Sequence, residues 1–261
     1  MSEYLSVIRR PIDSGWQVAQ RHAGPIDLIS LSTGESEWYA ANVPGYVHGA
    51  LVSAGVIQDP NYRLGEKGCA WVDEADWTYR CSIDVTLDEL NSRGRGRHFL
   101  CFECLDTFAT VLVNGKFVGT ADNAFIPQRF DVSDALIVGE NEIRVEFSSA
   151  LTKGRALSDA YLGDGSSDRG QLHYFNFAPR AFVRKPQYMF GWDWGPSLVS
   201  CGIGGKVHLV TIPVAEFIDW EQNYTFTSGN TVDIAITLTV AVYDDSVPMT
   251  AGVALYAMGD N

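Results

Sequence analysis

Ala109-Thr110-Val111-Leu112-Val113-Asn114-Gly115 joins a short apolar run to an Asn-Gly dipeptide near the middle of the 261-residue chain. A run of this length and composition is typical of a β-strand. Asn-Gly is the strongest short hairpin signal, because both central residues of a type I′ turn need positive φ. Residues 116–120 are therefore predicted to return as the partner strand.

Similar runs extend outward from this hairpin in both directions, separated by turn residues. Residues 77–85 and 143–147 alternate between apolar and polar side chains, as half-buried strands do. Further strands are predicted at residues 98–103, 125–132 and 206–212. The pattern as a whole predicts an all-β fold.

Helix is predicted in one segment, residues 43–56, which has Pro44 near its start, Gly55 as a stop, and Val47, Leu51 and Val52 at helical spacing. Residues 134–137 are expected to add one turn at most.

Residues 151–187 mix glycine with serine and aspartate, so we predict a long loop there. Residues 91–97 carry three arginines among glycines and are interpreted as a solvated hairpin tip.

Pro213 marks a predicted domain boundary that divides the chain into residues 1–212 and 213–261. Four more strands are predicted beyond it, at residues 214–220, 224–226, 231–243 and 250–258. An immunoglobulin-like sandwich needs about seven strands and roughly 100 residues. We therefore expect the second unit to be the start of such a sandwich, cut off within the domain, with unpaired strand edges that favour a homo-oligomer.

Composition restricts the classes of partner. Hydrophobic residues make up 46% and charged residues 20%, which is ordinary for a globular protein. The net charge of −13 disfavours nucleic acid and anionic membranes as partners. Residues 1–10 contain no apolar core long enough for a secretory signal, and no run of about 18 apolar residues occurs that would predict a membrane span.

Cysteine usage predicts a reducing compartment. The five cysteines, an odd and sparse set, are Cys69, Cys81, Cys101, Cys104 and Cys201. We interpret them as reduced thiols of a cytoplasmic protein. Cys101 and Cys104 have the spacing of half a zinc site, but residues three apart on a strand face opposite sides. Neither a metal site nor a cofactor is predicted.

Tyr188-Met189-Phe190-Gly191-Trp192-Asp193-Trp194-Gly195-Pro196 carries the strongest chemical signal, because it places one carboxylate between two indoles. The glycines and the proline favour a tight loop over a long strand. An indole face packs on the C–H groups of a sugar, and a carboxylate accepts hydrogen bonds from its hydroxyls. The alternative is a tryptophan-rich plug of a sandwich core, in which Asp193 caps a turn.

Beyond these features, several stretches match one family: Val43-Pro44-Gly45-Tyr46-Val47-His48, Asp59-Pro60-Asn61-Tyr62-Arg63, Trp71-Val72-Asp73-Glu74-Ala75-Asp76-Trp77-Thr78-Tyr79-Arg80, Leu105-Asp106-Thr107-Phe108, and Arg184-Lys185-Pro186-Gln187 with the tryptophan-rich segment. They resemble the N-terminal region of the β-mannosidases of glycoside hydrolase family two. The central hairpin is shared with the galactosidase and glucuronidase relatives, whereas Trp-Asp-Trp points to the mannosidase branch. The matches cover almost the whole chain up to residue 212.

The resemblance implies a jelly-roll, galactose-binding-like β-sandwich that abuts a catalytic (β/α)₈ barrel further along the parent chain. It implies that Asp193 accepts hydrogen bonds from the terminal mannose of a β-mannoside or manno-oligosaccharide, and that Trp192 lines the same pocket. Trp194 is expected to pack behind them. Arg184 and Lys185 are expected to orient Asp193 or to join the pocket.

We expect the catalytic residues to lie outside this chain. Retaining glycosidases use two carboxylates about 5–5.5 Å apart, and the resemblance implies two glutamates on barrel strands. The sequence lacks the alternating βα pattern of such a barrel. Asn141-Glu142 matches the family's Asn-Glu pair but lies in a turn before a sandwich strand, so we interpret it as unrelated to catalysis. Asp73, Glu74 and Asp76 are interpreted as a solvated loop.

Two other functions stay open at this point. One is a free-standing carbohydrate-binding sandwich, in which Trp192 and Asp193 form a complete site. The other is part of a related enzyme that acts on galactose or glucuronic acid. The five histidines have no triad or metal-ligand spacing and are interpreted as ordinary core or surface residues: His22, His48, His98, His173 and His208.

Overall fold

The computed structural model of the protein describes residues 7–21, 37–91, 96–162, 177–227, 229 and 231–254. Its helices are α1 (Val47–Ser53), α2 (Gly65–Glu74), α3 (Leu87–Asn91), α4 (Ala150–Leu162) and α5 (Phe177–Arg180). Its strands are β1 (Ile8–Pro11), β2 (Gln17–Gln20), β3 (Tyr39–Ala40), β4 (Gly45–Tyr46), β5 (Trp77–Val85), β6 (Arg97–Phe102), β7 (Leu105–Asp106), β8 (Phe108–Val113), β9 (Lys116–Ala121), β10 (Gln128–Asp131), β11 (Gly139–Ser148), β12 (Phe190–Trp192), β13 (Gly195–Ser197), β14 (Gly202–Ile203), β15 (Val207–Ile212), β16 (Ala215–Thr227) and β17 (Thr231–Val242).

Two antiparallel sheets form a sandwich, which confirms the predicted all-β fold. One sheet has the strand order β1-β15-β6-β10, and the other has the order β3-β2-β5-β11-β8-β9. Every second residue of β8 and of the later part of β11 is buried, as the two-residue period of a strand requires. Large side chains from both sheets share one apolar core, among them Tyr79, Phe102 and Phe147.

The central hairpin forms at the predicted place. Strands β8 and β9 are paired from Ala109↔Ala121 to Val113↔Lys116. Asn114 and Gly115 have φ values of 52° and 74°, the positive values that a type I′ turn demands. Local turn chemistry therefore decided this part of the fold.

The structure contains helices where the sequence analysis predicted loops. The helix predicted at residues 43–56 is confirmed over Val47–Ser53, but α2 was missed. Cys69 and Val72 are buried three residues apart on α2, so a helical period was present. Two glycines that precede this pair, Gly65 and Gly68, disguised it.

Helix α4 contradicts the long loop predicted at residues 151–187. The Ser149 hydroxyl accepts a hydrogen bond from the Thr152 amide at 3.0 Å, as an N-cap does. Gly154 lies within the helix, and a Cβ there would stand 2.9 Å from the Pro179 carbonyl oxygen. This glycine therefore permits close packing between α4 and α5 and does not break the helix.

Smaller differences concern strand ends. Strands β1 and β2 were not predicted, and the strand predicted at residues 125–132 is shorter, spanning Gln128–Asp131. Residues 250–254 form no strand, which contradicts the first half of the strand predicted at residues 250–258. Several predictions fall wholly or partly outside the described residues: the arginine-rich turn, the glycines at 163, 165 and 170, His22, His173 and residues 255–258.

Residues 213–254 contribute one long antiparallel hairpin, β16–β17, to the described part of the chain. Its base contacts the sandwich, because Arg129 and Glu216 form an ion pair of 2.6 Å. The Tyr243 ring also packs on Phe99, with 6.0 Å between ring centroids. The predicted boundary at Pro213 and the immunoglobulin-like character of this part stay predictions. None of the helices in the described ranges has the length and apolar character needed to cross a lipid bilayer.

A small third sheet has the strand order β4-β14-β7, with β14 at its centre. Gly202 pairs with Tyr46 on one side and with Asp106 on the other. A Cβ on Gly202 would collide with the Gly45 carbonyl oxygen and stand 2.8 Å from the Tyr46 Cα. Only a residue without a side chain fits between these strands.

Gly202→Ala is expected to destabilise the protein by about 2 kcal/mol or more, because backbone atoms cannot move aside as a flexible side chain can. Urea unfolding followed by tryptophan fluorescence measures this change. Gly68→Ala is the control, since a Cβ at Gly68 meets nothing within 4 Å. Equal stability of the two variants would contradict the expectation.

Candidate functional site

The tryptophan-rich segment forms a short antiparallel hairpin of strands β12 and β13, which we name the Trp-Asp-Trp hairpin (residues 190–197). Trp192 pairs with Gly195, which leaves Asp193 and Trp194 as the two residues of the turn. Phe190, at the base of the hairpin, is fully buried in a small apolar cluster with Ala150, Leu151, Val183 and Val199. The hairpin is thus anchored by an aromatic side chain, and its turn faces solvent.

The turn exposes two indoles and the carboxylate between them. Trp192 and Trp194 are 40% and 69% exposed, and Asp193 is exposed as well. The Arg180 guanidinium lies 5.0 Å from the centroid of the Trp192 ring, and Tyr188 lies 5.7 Å from Trp194 between ring centroids. Trp194 lies on the surface of this chain, and its expected packing role behind the other two residues stays a prediction.

The two basic residues that precede the hairpin have opposite environments. Arg184 is exposed, and its carbonyl oxygen accepts a hydrogen bond from the Ala124 amide at 2.9 Å. The Lys185 side chain is fully buried, and its ammonium lies 2.7 Å from the Asp106 carboxylate. Lys185 therefore faces the interior of this chain. The substrate-binding roles of the two residues stay predictions.

Beneath the hairpin lies a buried polar cluster that the sequence analysis did not predict. It consists of Asp106, Lys185, Ser200, His48 and Asp73. The Lys185 ammonium donates to the Asp106 carboxylate at 2.7 Å and to the Ser200 carbonyl at 2.9 Å. The His48 Nδ1 and the Ser200 hydroxyl are 2.8 Å apart, and the His48 Nε2 lies 3.6 Å from an Asp73 oxygen.

Burial shifts the pKa values of the last two groups in opposite directions. Desolvation, with a contribution from the charge of Lys185, lowers the pKa of His48 to about 4. Desolvation raises the pKa of Asp73 to about 7, although a hydrogen bond from the Val199 amide and the charge of Lys185 oppose the rise. At neutral pH the imidazole of His48 is therefore neutral, and the 3.6 Å contact with Asp73 is not an ion pair.

The position of Asp73 corrects the interpretation of residues 73–76 as a solvated loop. Asp73 belongs to the last turn of α2 and is buried. It follows Cys69 by four residues and Val72 by one, so all three lie on one face of the helix. The helical spacing of these three residues was the signal available in the sequence. Asp73 is the polar residue among the three.

Asn141 and Glu142 have structural contacts within the sandwich. The Asn141 side chain is fully buried and bonds to the backbone of Ile137 and Gly139, with each distance at 2.8 Å. Glu142 forms an ion pair of 2.9 Å with Arg144. These contacts give the Asn-Glu pair a structural place in the sandwich, and its interpretation as unrelated to catalysis stays a prediction.

The hairpin surface is open. Two surface cavities of about 340 and 320 Å³ are lined by residues of other elements, such as Phe108, Lys153 and Phe117, and by none of the hairpin. Among the described residues, no three His, Cys, Asp or Glu side chains are grouped as a metal site would require.

Comparison with known proteins supplies the context of this surface. The family model "Glycosyl hydrolase 2 galactose-binding domain-like" matches residues 16–205. The chain is 33% identical over 203 residues to "Beta-mannosidase B" of Thermothelomyces thermophilus, covering 76% of this chain and 21% of that protein. It is 32% identical over 182 residues to "Beta-mannosidase" of Mus musculus, covering 67% and 20%.

Solved structures agree. The crystal structure of "Beta-D-Mannosidase from Dictyoglomus thermophilum" superposes with a TM-score of 0.68 at 32% identity, covering 90% of this chain and 26% of that one. A Ruminococcus gnavus β-glucuronidase has a TM-score of 0.52 at 13% identity, which shows a common fold only. The chain spans about a fifth of the length of the curated relatives it matches.

Proposed function

Because this chain belongs to glycoside hydrolase family two through its galactose-binding-like domain, we propose that it is the non-catalytic N-terminal portion of a retaining exo-β-mannosidase. Relatives named β-mannosidase are 31–38% identical to it, whereas the β-glucuronidase structures share its fold at only 13–16% identity. The observation that carries the proposal is the exposed Asp193 between two exposed tryptophans. We assign to this surface the non-reducing mannose of the substrate.

The chemistry of the hairpin supports this assignment. Asp193 offers carboxylate oxygens to sugar hydroxyls, and charge-assisted hydrogen bonds of this kind are shorter and stronger than neutral ones. Trp192 offers an indole face to the apolar C–H groups of the ring, and the Arg180 guanidinium near that indole restrains its position. Binding is expected to be weak, because an open surface contacts one side of the sugar and buries little of it.

We propose that bond cleavage takes place in a (β/α)₈ barrel of the parent protein. A retaining reaction needs an acid/base carboxylate and a nucleophilic carboxylate about 5–5.5 Å apart. Asp193 serves to hold the substrate and does not take part in proton transfer. On this proposal the isolated chain does not hydrolyse a chromogenic β-mannoside, and turnover at enzyme-like rates would refute it.

Asp193→Ala is expected to weaken mannose binding by this chain about tenfold or more, since a hydrogen bond to a charged group contributes roughly 1.5–3 kcal/mol. The measurement is an NMR titration with mannose up to hundreds of millimolar, in which the indole N–H signals of Trp192 and Trp194 are followed. Asp219→Ala is the matched control, because Asp219 is an exposed acid beside the exposed Trp220. If both variants weaken mannose binding equally, Asp193 does not belong to the binding site.

The same titration tests a second function, a free-standing carbohydrate-binding module. The exposure of the Asp193-Trp194 turn favours it, since the turn is accessible in this chain by itself. Micromolar affinity for manno-oligosaccharides that is lost in Asp193→Ala would support the module. A preference for galactose or glucuronic acid over mannose would support the related hydrolases instead.

Three further proposals concern the surroundings of the chain. We propose that residues 213–261 begin an immunoglobulin-like sandwich, which the long β16–β17 hairpin and its exposed Phe217, Trp220 and Phe226 support. We propose that these strands pair with the rest of the parent chain or with a second copy. We also propose a cytoplasmic location, which the five free cysteines of the structure support.

A further inference from the structure

The Trp-Asp-Trp hairpin belongs to a segment that leaves the sandwich at Lys185 and returns to it at Ser200. The Lys185 ammonium bonds to the Ser200 carbonyl at 2.9 Å, so one side chain joins the two ends of the segment. The same ammonium bonds to Asp106 of strand β7 at 2.7 Å. One cation therefore joins both ends of the segment to the sheet.

We propose that Lys185 and Asp106 are a positioning pair, which fixes the direction in which the hairpin holds Asp193 and Trp192. The relevance of this direction to substrate binding rests on the proposed function. The effect of the pair on the hairpin does not. Lys185 itself does not contact substrate in this arrangement, because its side chain is fully buried.

The hydrogen bonds of the ammonium account for all three of its donors. Besides Asp106 and Ser200, it lies 3.1 Å from the Met189 sulfur, within the same segment. The second oxygen of Asp106 accepts a hydrogen bond from the Thr107 hydroxyl. Both charges are thus compensated inside the protein, as buried ions require. Movement of Lys185 would break contacts to both ends of the segment and to β7 together.

The returning end of the segment is also held by the helices. The Ser200 hydroxyl is 2.8 Å from the His48 Nδ1 on α1, and the Val199 amide bonds to Asp73 on α2. Asp106 in turn lies on β7, which pairs with Gly202 directly after the segment. The other end of the segment contacts Asp106 and Ser200 through the side chain of Lys185. Because the base is fixed at these points, a small displacement there changes the position of the turn.

Such a displacement matters for recognition. Geometry errors of about 1 Å in a binding constellation can reduce rates by roughly 100-fold. The hairpin has short strands, with Phe190↔Ser197 and Trp192↔Gly195 as its pairs. Two pairs give little rigidity of their own, so the orientation of the turn depends on the base.

Amide hydrogen exchange in this chain tests the proposal. In Lys185→Met and in Asp106→Asn, amides of residues 188–199 are expected to exchange at least about tenfold faster than in the parent chain, relative to those of β5 and β11. Thr211→Val is the matched control, because it removes a buried hydrogen bond of 3.0 Å to His98 in the other sheet. Acceleration at residues 188–199 only in parallel with β5 and β11 would overturn the proposal, since the pair would then stabilise the whole fold without positioning the hairpin.

If either single variant fails to fold, the double variant Asp106→Asn/Lys185→Met replaces it, because it leaves no unpaired buried charge. Its residues 188–199 are expected to exchange faster than those of the parent chain as well. Unchanged exchange in a folded double variant would refute the positioning role.

Mannose titration of the same variants separates this inference from the proposed function. Weaker binding in a variant with a loosened hairpin supports both. Absence of mannose binding to Asp193 in the parent chain would refute the proposed function, while faster exchange in the variants would still support the positioning pair. Undiminished binding by a variant with a loosened hairpin would refute the pair's role in recognition.

Discussion

Asp106→Asn is expected to lower the free energy of unfolding by about 3–5 kcal/mol, because it leaves the ammonium of Lys185 buried without its carboxylate. Both side chains are fully buried, and the two charged groups are 2.7 Å apart. Solvent cannot replace the lost partner at such a site. Lys185→Met is expected to have an effect of similar size, since it leaves the Asp106 carboxylate uncompensated.

The double variant Asp106→Asn/Lys185→Met distinguishes this explanation from a general sensitivity of the region. Removal of both charges is expected to cost less than the two single losses added together, because no unpaired ion stays buried. Urea unfolding of the four proteins gives the coupling energy between the residues. The exposed ion pair Arg155–Glu74 is the control, with an expected coupling below about 1 kcal/mol. Strict additivity at Asp106 and Lys185 would contradict the expectation.

Asp73→Asn is expected to change the pH dependence of stability. The folded pKa of Asp73 is raised to about 7 by burial, well above its usual value of 3.8. Its neutral form thus favours the folded state, and this contribution is present below pH 4 and lost as pH rises through 7. Relative to the parent protein, the variant should gain on the order of 4 kcal/mol between pH 4 and pH 8.

The contribution of His48 to the pH dependence of stability has the opposite sign over the same pH range. Burial lowers its pKa to about 4, so its contribution is present above pH 6.5 and lost as pH falls through 4. His48→Gln should therefore lose stability relative to the parent protein as pH rises from 4 to 8. Urea unfolding at intervals of one pH unit measures both differences, with Glu74→Gln as an exposed neighbour for comparison. Flat differences for Asp73→Asn and His48→Gln would show that these groups titrate normally.

Much of the sandwich could be predicted from short stretches of sequence. Alternation over residues 143–147 predicted a half-buried strand, and Asn114-Gly115 predicted the turn of the central hairpin by the positive φ values that the structure contains. Prediction failed where a glycine permits close packing between parts of the chain that are distant in sequence. Residues 151–162 were included in a predicted loop but form α4, where Gly154 permits the close approach of α5 through contacts with residues 25 and more positions away.

The candidate site divides in the same way. The residue order Trp192-Asp193-Trp194 and its bracketing glycines were enough to predict a tight turn with an anion beside aromatic rings. Sequence alone also identified the family, because several separate stretches match it. These are properties of consecutive residues, and they depend on backbone preferences over two to five positions.

Only the tertiary structure decided which charged side chains face solvent and which face the interior. Arg184 and Lys185 are neighbours in sequence, but one is exposed and the other is buried against a carboxylate 79 positions away. Asp73 and His48 meet beneath the hairpin because two helices and the returning segment converge there. Burial of a charge depends on partners that distant parts of the chain supply, and no local pattern encodes them.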